Sequence, residues 1–135
     1  AFLRDRFGVP SLVMWGPAER ALADAVVAAS GGAARVAPET GLGDVIALVK
    51  RAALFVGGDT GPLQIAAAVG TPIVSMFGPT SPARNGSWSA ADIGLSRFDD
   101  CECHHKRRCR RAVPCIDDIS VAEVIEAIDR RLSRR

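Results

Sequence analysis

Residues 57–64 read GGDTGPLQ and lie between two apolar runs, so an acid, a hydroxyl, a carboxamide and three glycines fall within eight positions. Gly57 and Gly58 would let the backbone turn sharply and let a ligand approach it closely. Thr60 is of the type favoured at a helix N-cap, with Gly61, Pro62 and Leu63 as the first helical turn. The amides of Gly61, Leu63 and Gln64, and the positive end of the helix dipole, would then face whatever sits above the preceding strand, which favours phosphate. Asp59 would repel a pyrophosphate that it faced. Its expected use is to accept hydrogen bonds from sugar hydroxyls or to brace the amides of its own loop. The plainer alternative is that Asp59 and Thr60 are helix caps and nothing more. The stretch fits neither the Walker A pattern nor G-x-G-x-x-G, so neither mechanism is claimed.

Two further segments carry side chains capable of chemistry. FGPTSPARNG (77–86) reads as a loop stiffened by Pro79 and Pro82, with Thr80, Ser81 and Asn85 as neutral hydrogen-bond partners. CECHHKRRCRRAVPC (101–115) holds all four cysteines, Cys101, Cys103, Cys109 and Cys115, around the basic run Lys106–Arg111. With His104 and His105 it has enough ligands for a tetrahedral zinc, but the spacing is not that of a zinc ribbon or finger. A structural role as buried or loop thiols is the favoured reading, ahead of a metal-binding module, with a disulfide last. For the basic run, a solvated charged loop is the reading from the residues alone.

The elements that must position these residues follow from the hydrophobic pattern. Short apolar runs at 11–16, 34–38, 53–57 and 71–78 predict strands, with a shorter one at 92–96. Between them, 17–30 predicts a helix with Pro17 in its first turn and Leu22, Ala25, Val26 and Ala29 on its buried face. The helix at 42–52 would bury Val45, Leu48, Val49 and Ala52, and another would run from the Thr60 cap through Val69. Ser120 and Glu123 form a capping box for a final helix striped with Val121, Val124, Ile125, Ile128 and Leu132. Alternating strands and helices define a doubly wound α/β domain with a parallel sheet, taken as one domain over residues 1–135. Ligands bind such sheets outside the carboxyl ends of the strands, where GPAE, PETG, GGDTGP and GPTSPARNG all fall.

Composition narrows the functions. A net charge of +2 does not indicate nucleic acid, and the basic run has no interleaved aromatics. No apolar run approaches the roughly 18 residues of a membrane span, and the N-terminus lacks a signal peptide's apolar core. The chain opens without Met on what reads as the tail of a helix, which suggests a piece of a longer chain.

WGPAE (15–19), LFVGGDTGPLQIAAAVGTPIV (54–74), MFGPTSPARNG (76–86) and the cysteine segment (101–115) together resemble the C-terminal domain of the family 9 glycosyltransferases, the ADP-heptose:lipopolysaccharide heptosyltransferases. The resemblance implies a Rossmann-like donor-binding half of a GT-B enzyme. A separate N-terminal acceptor domain would carry the general base. It implies an inverting transferase without cofactor or catalytic metal, acting in the cytoplasm at the inner face of the inner membrane. Its partners would be a nucleotide-diphosphate sugar, an anionic lipopolysaccharide acceptor and its own N-terminal domain, with no nucleic acid. Carried over by position, Asp59, Thr60, Gly61, Pro62 and Leu63 match the turn that holds the diphosphate and the sugar. Glu19 matches an acid that binds the ribose, and Thr40 lies where adenine is contacted. Lys106, Arg107 and Arg108 would face acceptor phosphates. Gln64 stands where the family usually has His, and it can donate a hydrogen bond but never carry charge. Gln64 therefore marks either a catalytic position or a non-catalytic nucleotide-sugar binding domain.

Overall fold

The computed structural model describes residues 1–104, 106 and 110–133. The chain divides into two compact units, Ala1–Asp44 and Val45–Arg135.

The first unit contains α1 (Phe2–Phe7), β1 (Ser11–Val13), α2 (Arg20–Ala29) and β2 (Ala34–Val36). The strands pair in parallel with Leu12 opposite Arg35, and α2 is the crossover between them. Trp15 Nε1 donates to Ala37 O at 2.8 Å and fastens the chain leaving β1 to the chain leaving β2.

Two features of α2 differ from the sequence expectation. Pro17 is not in its first turn, because Ala18 takes a left-handed φ of 66° and Glu19 becomes the N-cap. The predicted face is also wrong: Leu22 and Val26 are exposed, while Ala23 is buried and Val27 half-buried. RALADAVVAA is apolar on more than one side, so periodicity alone does not select a unique buried stripe.

The second unit contains β3 (Phe55–Gly58), α4 (Gly61–Val69), β4 (Ile73–Phe77), α5 (Pro82–Asn85), β5 (Ile93–Ser96), a 3-10 turn (Cys115–Asp118) and α6 (Val121–Ser133); α3 (Leu42–Arg51) enters it from Val45 onward. The sheet order is β3-β4-β5, all parallel. The central strand β4 is the most apolar, and Ile73, Val74 and Phe77 have no exposed surface. Burial on this scale contributes roughly 1.5–3 kcal/mol per large side chain. Leu63 and Ala66 of α4 and Ala127, Ile128 and Leu132 of α6 complete the core. The predicted stripe of α6 holds except at Val121, which is exposed in the first turn. Helix α4 stops at Gly70, whose φ of 76° lets its amide reach the Ala66 and Ala67 carbonyls.

The capping box of α6 forms as its sequence indicates. Ser120 Oγ accepts from the Glu123 amide at 3.2 Å, and Glu123 Oε2 accepts from the Ser120 amide at 2.8 Å. Arg97 Nη2 adds bonds of 2.6 and 2.8 Å to the same carboxylate. The Arg97 guanidinium first, then the Ser120 amide and hydroxyl, bring the Glu123 carboxyl down to about 2 from an ordinary 4.5. A carboxyl depressed on folding adds stability above its unfolded pKa and loses it as pH falls toward the folded value. The urea midpoint of the native chain should therefore fall between pH 4.5 and about 2 more steeply than that of Glu123→Gln. Identical slopes for the two proteins would show that the box is not coupled to stability.

No helix among the described residues is long and apolar enough to cross a membrane.

Candidate functional site

Register places the candidate turn. Gly58 at the end of β3 lies opposite Met76, one residue before the end of β4, so the chain leaves both strands at the same edge of the sheet. The turn 59–60 and the segment 78–86 must therefore meet. Gly57 and Gly58 are strand residues rather than the bend itself, which corrects their expected role. A Cβ at Gly57 would lie 3.0 Å from the Phe55 ring, so this glycine makes room for an aromatic on its own strand.

Thr60 occupies the N-cap of α4 with extended backbone, φ −140° and ψ 169°, but its side chain makes no capping bond. Its hydroxyl instead turns back to Gly58 O at 3.4 Å. The Leu63 and Gln64 amides, expected to be open to a ligand, donate to Thr60 O at 3.1 and 3.4 Å. A tight first turn takes up those donors, and Pro62 has none. Among the described residues, Gly61 alone of the four positions 61–64 keeps an amide without a protein acceptor.

The side chains of the turn are held from outside it. Asn85 Nδ2 donates to Asp59 Oδ2 at 2.6 Å, and Gln64 Nε2 donates to the Asn85 carbonyl at 2.8 Å. Neither carboxamide can be turned around in this arrangement, because carboxylate and carbonyl oxygens only accept. Asp59 makes no bond to the amides of its own loop, so neither the bracing nor the capping expected of it is seen. Residues 82–85, read from sequence as loop, form α5 and bring Asn85 back to the turn. From sequence, Asn85 reads only as a polar loop residue. The adjacency of β3 and β4 was the signal that could have paired it with Asp59.

Close to this region lies a cavity of about 160 Å³ lined by Ser75, Phe77, Pro82, Ser87 and Asp92 among others. Asp92 is the polar hub beneath it, with its side chain 6% exposed. Its Oδ1 accepts from the Ile73 amide at 3.0 Å and from Arg131 Nε at 2.9 Å, while Ser87 Oγ donates to Oδ2 at 2.5 Å. Trp88, next to Ser87, is 88% exposed.

The remaining expected site residues are distributed as follows. Glu19 and Thr40 belong to the first unit. Glu19 Oε2 accepts from the Gly16 amide at 2.8 Å and fixes the turn after β1. Thr40 is half-buried in the loop after β2, where the neighbouring Gly41 amide donates to Asp44 Oδ2 at 2.9 Å.

In the second unit Lys106 is exposed, whereas Arg107, Arg108, His105 and Cys109 lie outside the described residues. Cys101, Cys103 and Cys115 form a buried cluster. Cys115 Sγ lies 3.0 Å from Cys101 Sγ, and the Arg110 amide donates to Cys103 Sγ at 3.0 Å. A Cβ at Gly78 would come within 3.4 Å of Cys115 Sγ, so the cysteine cluster supports the start of the β4–α5 connection. Among the described residues, no group of three or more His, Cys, Asp or Glu is arranged to hold a metal ion. Arg111 is engaged by Asp118 at 2.6 and 3.1 Å, and its guanidinium lowers the Asp118 pKa.

Parallel strands connected by helices, with a Gly-rich turn entering a helix at the carboxyl edge of the β3-β4-β5 sheet, define an α/β protein of Rossmann-like fold. The chain belongs to glycosyltransferase family 9 (heptosyltransferase), whose profile matches residues 5–115. Lipopolysaccharide heptosyltransferase 3 of Escherichia coli is 37% identical over 86 residues, which are 64% of this chain and 25% of that protein. The chain thus spans about a quarter of the curated relative's length. The crystal structure of a family 9 glycosyl transferase from Veillonella parvula DSM 2008 superposes over all of this chain and 40% of its own, with a TM-score of 0.79 and 26% identity. The E. coli heptosyltransferase WaaC with ADP covers 70% of this chain and 29% of its own, at a TM-score of 0.61 and 23% identity, a likeness of fold.

Proposed function

We propose that this chain is the donor-binding part of a GT-B glycosyltransferase that transfers heptose, or a related sugar, from ADP-heptose to a lipopolysaccharide inner-core acceptor. The observation that carries the reading is the turn at residues 58–61. Asp59 is held in place by Asn85 instead of capping its own helix, and the Gly61 amide stands open at the positive end of α4. A carboxylate suits sugar hydroxyls and an open amide suits a phosphate oxygen, so the two together fit a sugar diphosphate. The relatives named above, one of them a structure with ADP, support the nucleotide part of this reading.

In this scheme Thr60, Gly61, Pro62 and Leu63 of the second unit shape the diphosphate cradle. Displacement at the anomeric carbon inverts its configuration. The base that activates the acceptor hydroxyl lies in an N-terminal acceptor domain. Charge on the leaving ADP is met by preorganised donors, without a cofactor or a metal requirement. Exposed Lys106 meets the anionic acceptor or the lipid surface at the cytoplasmic side of the inner membrane.

Titration with ADP or ADP-heptose should shift the amide resonances of Asp59, Thr60, Gly61 and Leu63. If saturating ligand leaves all four unmoved, the donor-site reading is wrong.

A second reading, a nucleotide-sugar binder that does not turn over, is favoured by one contact. Gln64 commits a donor proton to Asn85 O instead of keeping both for a leaving diphosphate. Assay of the intact protein with Gln64 and with Gln64→His separates the two. Turnover by the native form excludes the binder, and turnover gained only with His supports it.

A further inference from the structure

We propose that Asn85 is a positioning residue of the donor site, setting Asp59 and Gln64 as a pair of acceptors for hydroxyls of the transferred sugar. The inference rests on the donor-site reading above and adds to it the residue that organises the sugar side.

Asn85 engages both groups at once and from different atoms. Its side-chain amide holds Asp59 Oδ2 at 2.6 Å, and its main-chain carbonyl holds Gln64 Nε2 at 2.8 Å. Asp59 precedes the N-cap of α4 and Gln64 lies just inside the helix, so a single residue of α5 fixes both.

Asn85 is itself well anchored. Its amide donates to Ser81 O at 3.0 Å, and the following Gly86 amide donates to Pro82 O at 2.8 Å. A Cβ at Gly86 would lie 2.5 Å from Pro82 O, so this close return of the backbone needs glycine. Pro79 and Pro82 restrict the approach to α5. Bonds from one anchored residue to two rotatable polar side chains reduce the rotamer freedom that a ligand would otherwise have to freeze.

The atoms left over give the arrangement its selectivity. Asp59 keeps Oδ1, and Gln64 keeps Oε1 together with the second proton of Nε2. The two oxygens are acceptors, suited to hydroxyl donors and unsuited to phosphate oxygens. Asn85 should therefore matter for the sugar and little for the nucleotide.

The experiment compares ADP with ADP-heptose on the same protein by calorimetry, using Asn85→Asp and Asn85→Ala. Asn85→Asp is isosteric and keeps the carbonyl that holds Gln64, but it replaces the donor to Asp59 with a second carboxylate. The expected result is about tenfold weaker ADP-heptose binding in both variants, the loss of one charge-assisted contact, with ADP changed less than about twofold. An equal loss for both ligands would make Asn85 a general support of the loop and overturn the proposal. Unchanged affinity for ADP-heptose would overturn it too. If the native protein binds neither ligand, the donor-site reading fails first and this inference falls with it; the native titration separates that case from the others.

Discussion

Asp92→Ala should destabilise the second unit by about 3–5 kcal/mol, the cost typical of removing one partner from a buried ion pair. The carboxylate satisfies three groups from three places in the chain: the Ile73 amide entering β4, the Ser87 hydroxyl after α5 and the Arg131 guanidinium in α6. With Asp92 gone, Arg131, whose side chain is only 13% exposed, is left as an unpaired charge. The Ile73 amide also loses its acceptor at the start of the most buried strand. For a unit of this size even the lower figure corresponds to a melting temperature lower by roughly 12–24 °C. Asp92→Asn combined with Arg131→Met should lose much less, because the carboxamide can still accept from Ile73 and no charge is stranded. Thermal unfolding of the three proteins measures this directly. A loss below about 1 kcal/mol in Asp92→Ala would mean that solvent reaches the pair and replaces the bonds.

The second large effect concerns the turn itself. In the two-domain transferase proposed above, Asp59→Ala should lower kcat/KM for ADP-heptose roughly 10²-fold, the worth of one or two charge-assisted hydrogen bonds in the transition state. The loss should exceed that of Asn85→Asp, since the acceptor is removed and not merely misplaced. Thr60→Ala should cost far less, because the Thr60 hydroxyl makes only a 3.4 Å contact to Gly58 O and its functional atom is the main-chain carbonyl. Steady-state kinetics of the pair provide the check. Equal losses in Asp59→Ala and Thr60→Ala would assign the effect to the backbone of the turn and remove Asp59 from the sugar site.

Much of the scaffold that supports these residues can be read locally. The strands and the parallel α/β class follow from short apolar runs set between helical periods. The Ser120–Glu123 box follows from three-residue spacing, since both of its bonds lie within one helical turn. What could not be read locally depends on distance along the chain. Asn85 meets Asp59 across 26 residues and Arg131 meets Asp92 across 39, and no spacing rule links either pair. Helix α5 is four residues long and begins on proline, so its composition looks like a loop. The Thr60 cap was read from residue preference, whereas the tight first turn makes the carbonyl rather than the hydroxyl the useful group. The α2 face was misassigned because alanine is tolerated on either side of a helix.

The two tryptophans give the units separate optical signatures. Trp15 is part-buried and bonded to Ala37 O in the first unit, while Trp88 already lies in water in the second. With no tyrosine in the chain, a change in emission on unfolding reports the loss of the first unit and passes over the second. The second unit has its own reporter in the buried thiols of Cys101 and Cys103, which become available to an alkylating reagent only when it opens. Fluorescence and thiol labelling followed in one denaturant series would therefore show whether the two units of this protein melt together or one at a time.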